Sequence, residues 1–282
     1  LSEQKAICSY LMCLDKRINL LRETNKTLET IAQAIFKSWF VDFDPVKAKM
    51  DGRQPAGMDE ETAALFPDEL VESELGLIPK GWEVGTFGNV MKLHKGSVNP
   101  SLTPDDFFEH YSLPAFDANR FPVTQQGSEI KSNKTSVPVN AVLVSKLNPS
   151  TPRIWLPSMV GSNAICSTEF LPLVPISNES STEFLYCCLM QPEVFERLAA
   201  LASGTSNSHQ RINATSVLAL PLPRLPRALI ETFTNQVKPI LDRVRLNAQS
   251  FIALAELRDT LLPRLISGHL RVPVDEAETS EA

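Results

Sequence analysis

No apolar run in these 282 residues approaches the roughly 18 needed to span a bilayer, so no membrane helix is expected. The start, Leu1-Ser-Glu-Gln-Lys5, has no basic segment leading into an apolar one, so no signal peptide is visible. It also has no initiating Met, which suggests a fragment or a processed chain. Glycine is scarce, 11 residues in all, and no P-loop or dinucleotide fingerprint occurs; Gly85-Thr-Phe-Gly88 is too short for one. GxSxG and HExxH are missing, and Asn148-Pro149-Ser150 lacks the second Pro and the aromatic of an amino-methyltransferase motif. The five cysteines, Cys8, Cys13, Cys166, Cys187 and Cys188, include no CxxC pair and read as reduced, buried, cytosolic thiols. His94, His110, His209 and His269 are scattered, and Asp42 and Asp44, next to Pro45, read as turn formers. Catalysis, a metal site and a cofactor site are therefore not expected within this chain.

What is present is a helical seam at each end. Ile7, Leu11, Leu14, Ile18, Leu21, Asn25, Leu28, Ala32 and Ile35 follow steps of four and three. So do Ile230, Phe233, Val237, Ile240, Val244, Asn247, Phe251, Leu254, Arg258, Leu261 and Leu265. Such spacing keeps a stripe on one side of a helix. Helices over about 2–40 and 227–267 are predicted. The first is stopped by Pro45, which pushes its predecessor out of the α region, and the second is capped by Gly268. Lying at opposite ends of one chain, they pair antiparallel with the central segment inserted at their tip. Each stripe carries one Asn near its middle. Asn25 and Asn247 either meet across the seam and fix its register, as buried polar seam residues can, or sit at a wet rim.

Between the helices the texture changes. Residues 45–76 read as a polar connector with at most one short helix. The segment 77–226 holds short apolar runs, at 141–144, 154–156 and 170–174, spaced by Gly, Ser, Asn and Pro, which is strand-and-turn chemistry. A helix divided by Pro192 is expected over 181–202, and 218–226 reads as an extended polyproline-like hinge. Residues 269–282 form an acidic tail, expected to be mobile. The fold class is α+β: a mixed α/β domain inserted between two long helices.

The net charge of −6 hides two windows without Asp or Glu. The one between Glu129 and Glu169 contains Lys131, Lys134, Lys146 and Arg153. The other, between Glu196 and Glu231, contains Arg197, Arg211, Arg224 and Arg227, with His209. Screening confines a charge's reach to about 8–10 Å, so local charge is what a phosphate backbone feels. The competing reading is that these windows simply bury strands. Lys146 and Asn148 follow an apolar run and project near a strand end. The polar loop from Ser203 through Thr205, Ser206 and His209 to Gln210 and Arg211 offers phosphate donors and two side chains suited to base edges.

These residues carry a resemblance. Leu28 through Val46, with Phe36-Lys-Ser-Trp-Phe-Val-Asp-Phe-Asp-Pro45, is similar to the central conserved region of specificity subunits of type I restriction–modification systems, whose start Leu1 through Ile7 resembles. Ile78 through Val84 resembles the opening of a target-recognition domain. Ser145 through Pro149, with Arg153-Ile-Trp155, resembles its middle, and Gly204 through Ile212 its last loop. Leu257 through Gly268 resembles the end of the distal conserved helix. The resemblance implies a central conserved helix over 1–44, a target-recognition domain over 77–226 and a distal conserved helix over 227–268. It implies a non-catalytic subunit that reads one half of a split target in double-stranded DNA. The helices act as spacer and dock two modification (methyltransferase) subunits, which hold S-adenosylmethionine and flip out the target adenine. Restriction/motor subunits complete the assembly. Only one recognition domain is present here, so either a first one precedes Leu1 or two such chains form a homodimer on an inverted repeat. The alternative is a coiled-coil scaffold with a protein-binding head that does not touch DNA.

Overall fold

The structure, a computed structural model, describes residues 2–202 and 210–271. Helix α1 (Ser2–Phe40) contains neither Gly nor Pro, and none of its seam residues from Ile7 to Ile35 is exposed. It ends where Asp42 N bonds back to Lys37 O (2.8 Å) and Phe43 turns left-handed, with φ of 55°. Pro45, with no N–H to leave unsatisfied, then stands in the first turn of α2 (Asp44–Met50).

The span 45–76 is no mere connector. It holds most of α2, then α3 (Glu60–Ala64), capped by the Asp59 carboxylate on Thr62 N (2.7 Å), and β1 (Leu70–Ser73), which pairs antiparallel with β2 (Gly76–Pro79). Its composition is polar, but Val46, Ala48, Ala63 and Phe66 are all buried, and Lys49 donates to Phe66 O, tying α2 to the chain after α3.

Next come β3 (Glu83–Thr86), β4 (Met91–Leu93), β5 (Ser97–Val98), β6 (Phe107–Tyr111), α4 (Leu113–Asn119), β7 (Val123–Gln126), β8 (Lys134–Ser136), β9 (Val142–Ser145), β10 (Ile154–Trp155), β11 (Ala164–Cys166) and β12 (Phe170–Pro175). One sheet has the order β10-β9-β12-β4; a second has the order β5-β8-β11-β6-β7, in which only β11 and β6 run parallel. Side chains along β9 alternate between two cores: Val142 and Val144 join the helices, whereas Leu143 joins Tyr111, Trp155 and Phe170 against the second sheet. A strand covered on both faces needs a continuous apolar run, which is why 141–144 shows no alternation.

Helix α5 (Thr182–Leu189) is buried along its whole length and capped by Ser181 Oγ, which accepts from Phe184 N (3.0 Å). Pro192 opens α6 (Pro192–Ala200), giving the expected break. After α7 (Ala214–Leu218) the expected polyproline hinge is instead strand β13 (Pro221–Arg224), paired with β3. Leu220 O accepts from Phe87 N (2.9 Å), so alternate residues from Leu220 face β3. Pro221 and Pro223 then turn their missing donors outward and cost the ladder nothing.

Helix α8 (Arg227–Ile266) runs through Pro239 and Pro263 and ends with Gly268 at φ 74°. It pairs antiparallel with α1: Arg258 meets Asp15 (2.7 Å), Asn247 meets Asn25, and Phe233 meets Phe36 with ring centroids 5.6 Å apart. Asn247 Nδ2 donates to Asn25 Oδ1 (2.9 Å), and Asn25 Nδ2 donates to Val244 O (2.9 Å), so the two side chains lie in the seam and against each other. The central segment does not sit at the tip of this pair. Ala32, Phe36, Trp39 and Phe40 of α1 and Leu229, Ile230, Phe233, Val237 and Leu241 of α8 belong to the main core, so the head grips the inner part of both helices. Cys8 and Cys13 are exposed, contrary to the expectation of burial, because they lie beside the seam on the part of α1 outside the head. Cys166, Cys187 and Cys188 are buried, which pushes the thiols of Cys166 and Cys188 up to about 12 and that of Cys187 up as well.

Candidate nucleic-acid interface

The end of β9 and the segment before α7, far apart in sequence, are stitched together. Asn148 N donates to Gln210 O (3.0 Å), Ile212 N donates to Lys146 O (3.0 Å), and Leu147 bridges Arg211 in antiparallel fashion. Lys146 N also donates to Glu169 O (2.7 Å), which binds this pair to the start of β12. Ser145 Oγ accepts from Leu147 N (3.1 Å) and turns the chain at the strand end, while Asn148 takes a left-handed φ of 51° that Asn tolerates better than most residues.

This cluster gathers Lys146, Asn148, Gln210 and Arg211 around Glu169. Arg211 Nη2 donates to Glu169 Oε1 (2.9 Å), and Lys146 Nζ donates to Thr168 O (2.6 Å). Glu169 Oε2 and Asn148 Oδ1 are buried acceptors without a hydrogen-bond partner among the described residues. The cluster therefore offers an ammonium and a guanidinium, each held by an acceptor of the fold. Such a pair suits phosphate oxygens. Thr205, Ser206 and His209 lie outside the described residues.

The other basic residues singled out in the sequence fall elsewhere. Arg153 is a strut: its Nε and Nη2 donate to Asp117 of α4 (2.6 and 3.0 Å), and the hydrogen bond to this carboxylate raises its pKa. Lys134 opens β8 of the second sheet and donates to Ser132, while Lys131, in the turn before β8, donates to Ser128 O. Desolvation lowers the pKa of Lys134. His110, on β6, is also held below its usual range, first by burial and then by Lys134, against the raising effect of its contact with Gln125.

The acid-free windows do not survive folding as acid-free surfaces. Arg153 finds Asp117, Arg211 finds Glu169, Arg224 approaches Glu83 (3.9 Å) and Arg227 reaches Glu231 (2.6 Å), while Arg197 donates to Pro221 O. Glu169 and Asp117 are the residues that sequence reasoning missed. Glu169 had a visible signal, as the acid that closes the first window just before an apolar run; Asp117 had none. Among the described residues no group of three or more His, Cys, Asp or Glu is placed to hold a metal ion, and no helix is long and apolar enough to cross a membrane.

No family model matches the chain. It is 28% identical over 315 residues to the type I restriction enzyme HindI specificity subunit of Haemophilus influenzae, covering 95% of this chain and 67% of that protein. It is 24% identical over 278 residues to the type I restriction enzyme MjaIX specificity subunit of Methanocaldococcus jannaschii, covering 96% of this chain and 59% of that protein. In structure it is similar to the type I restriction–modification S subunit from M. genitalium, with a TM-score of 0.54 and 17% identity over 93% of this chain and 60% of that one. At that identity the structural likeness is one of fold. The chain thus spans 59–67% of the length of these relatives.

Proposed function

We propose that this chain, related along nearly its whole length to type I restriction specificity subunits, is one reading-and-spacing unit of such a subunit. It recognises one half of a bipartite site in double-stranded DNA and is itself non-catalytic. The observation that carries this reading is the match to a specificity subunit over 95% of the chain, long helices and head included. In this reading residues 1–44 and 227–268 form the spacer, 45–76 join it to the recognition domain at 77–226, and 269–282 form a tail. The helices dock modification subunits that supply S-adenosylmethionine, restriction/motor subunits join them in a cytoplasmic complex, and a second recognition domain comes from the same subunit or from a second copy. With 39 and 40 residues, the helices measure about 60 Å at 1.5 Å per residue, over one and a half turns of B-DNA at about 34 Å per turn.

The proposed DNA contacts are Lys146, Asn148, Gln210 and Arg211 of the cluster, with Thr205, Ser206, His209, Lys131, Lys134 and Arg153. The test is a titration of duplexes of mixed sequence with the chain assembled on its modification subunits, at several salt concentrations. Affinity falling linearly on a log–log plot with salt, and differing between duplexes, is the expected result. Affinity indifferent to salt supports the scaffold alternative.

The Asn25–Asn247 pair sets the helix register. Replacing both by Leu is expected to leave the chain at least as stable to urea but to loosen the register. Disulfide trapping between cysteines placed along the two helices then yields several cross-links where the native pair yields one. A single cross-link in both proteins would remove the assignment.

A further inference from the structure

On one flank of the helix pair, where α4 of the head leans against α1, a cleft of about 620 Å³ opens between head and rod. Its charges do not balance. Glu29 accepts from Tyr186 Oη (2.9 Å) and lies 3.8 Å from Arg120, and Asp117 is engaged by Arg153. Arg245, also in its wall, pairs with Asp242 and Glu183. Arg22 has no carboxylate partner among the described residues: its Nη2 donates to the amide oxygen of Asn119 (3.2 Å), and its guanidinium lies 5.1 Å from the centre of the Phe251 ring. Lys26, one turn further along the same face of α1, has no carboxylate within 4.0 Å among the described residues. The lining thus holds four cations, Arg22, Lys26, Arg120 and Arg245, against two carboxylates, Glu29 and Asp117. Two cations at helical spacing left without a carboxylate among the described residues make a site for an anion.

The surroundings select the anion. Asp117 is bonded to Arg153, the last residue before β10, and Arg153 O accepts from Ser145 N (2.9 Å), next to Lys146. Through Arg153 and α4 the cleft is tied by hydrogen bonds to the strand that leads into the reading cluster. A polyanion, unlike a free ion, can engage both at once.

We propose that the mouth of this cleft binds phosphates of the DNA backbone, with Arg22 and Lys26 as contacts that add affinity without reading sequence. This rests on the DNA-reading assignment above. The experiment uses the chain assembled with its modification subunits on a tight-binding duplex and on a scrambled one. Arg22→Gln with Lys26→Gln makes the slope of log affinity against log salt shallower by about 1.8, at about 0.9 per phosphate contact, and weakens both duplexes by the same factor. Lys26→Gln alone, at an exposed position that cannot disturb folding, takes away about 0.9. Lys47→Gln with Arg53→Gln removes the same charge at positions lining neither the cleft nor the reading cluster, and leaves the slope unchanged.

An unaltered slope in the cleft variants, or an equal loss in the control pair, overturns the proposal. So does saturable binding of inorganic phosphate to the free chain that is lost in Lys26→Gln while the duplex slope stays native, for the cleft is then a free-anion site. Failure of the native assembly to bind either duplex is a different result and removes the DNA-reading assignment itself.

Discussion

Phe233→Ala is expected to lower the unfolding free energy by about 3–5 kcal/mol, read as a shift in the urea midpoint at unchanged slope. The side chain is fully buried, and its ring lies 5.6 Å from Phe36, 5.9 Å from Trp39, 5.2 Å from Phe40 and 6.2 Å from Phe184. Those neighbours come from α1 and from α5, so one ring joins both long helices to the most deeply buried helix of the head. Truncation leaves a cavity that rigid aromatic neighbours fill poorly, which places the effect at the upper part of the range for core substitutions. Against a typical total of about 5–15 kcal/mol, this is a large share. A loss below about 1 kcal/mol would mean that the head is fastened to the helices elsewhere.

The second large effect is on binding, and it has two signs. Arg211→Ala is expected to weaken duplex affinity about tenfold to a hundredfold, in line with the roughly 1.5–3 kcal/mol of a hydrogen bond to a charged group. It removes a cation and also leaves the Glu169 carboxylate uncompensated where phosphates approach. Glu169→Gln keeps the side-chain shape, deletes that negative charge and raises affinity for any duplex several-fold, with a steeper salt dependence. Opposite shifts from two residues joined by one 2.9 Å hydrogen bond are hard to obtain from a folding defect. Shifts in the same direction would place the Arg211–Glu169 pair away from the DNA.

The helices were legible in the sequence because their signal is local and repeated: nine seam positions in the first and eleven in the second hold the same face, and none is exposed in the fold. The break at Pro192 was legible for the same reason. What was misread depended on partners distant in the chain. Residues 45–76 are polar on average, and only the main core shows that Val46 and Phe66 are its members. The stretch around Pro221 and Pro223 looks extended but gives no hint that β3 lies beside it. Charge failed in the same way, since Arg153 and Arg211 find acids 36 and 42 residues away. The candidate site was half legible. Lys146, Asn148, Gln210 and Arg211 were named and do meet, whereas Lys131 and Lys134 share the window of Lys146 but lie before and at the start of β8, on another sheet. Arg22, Lys26 and Arg120 carry no local pattern at all, because the cleft that gives them a common purpose exists only when α4 rests on α1.

The helix pair is gripped at one end only. Beyond Ile18, Leu21 and Phe251 its outer seam is only half-buried, save for Leu265, and the Asp15–Arg258 ion pair spans it there. Among the described residues the outermost hydrogen bond between α1 and the head is Arg22 on Asn119, and from Arg22 to the helix start at Ser2 is roughly 30 Å, twenty residues at 1.5 Å each. Mechanically this is a cantilever: a sideways push at the free end becomes a torque at the head's contacts with the rod, multiplied by that arm. A partner that seizes the outer turns can thus tilt the whole head, and with it the reading cluster, without touching either.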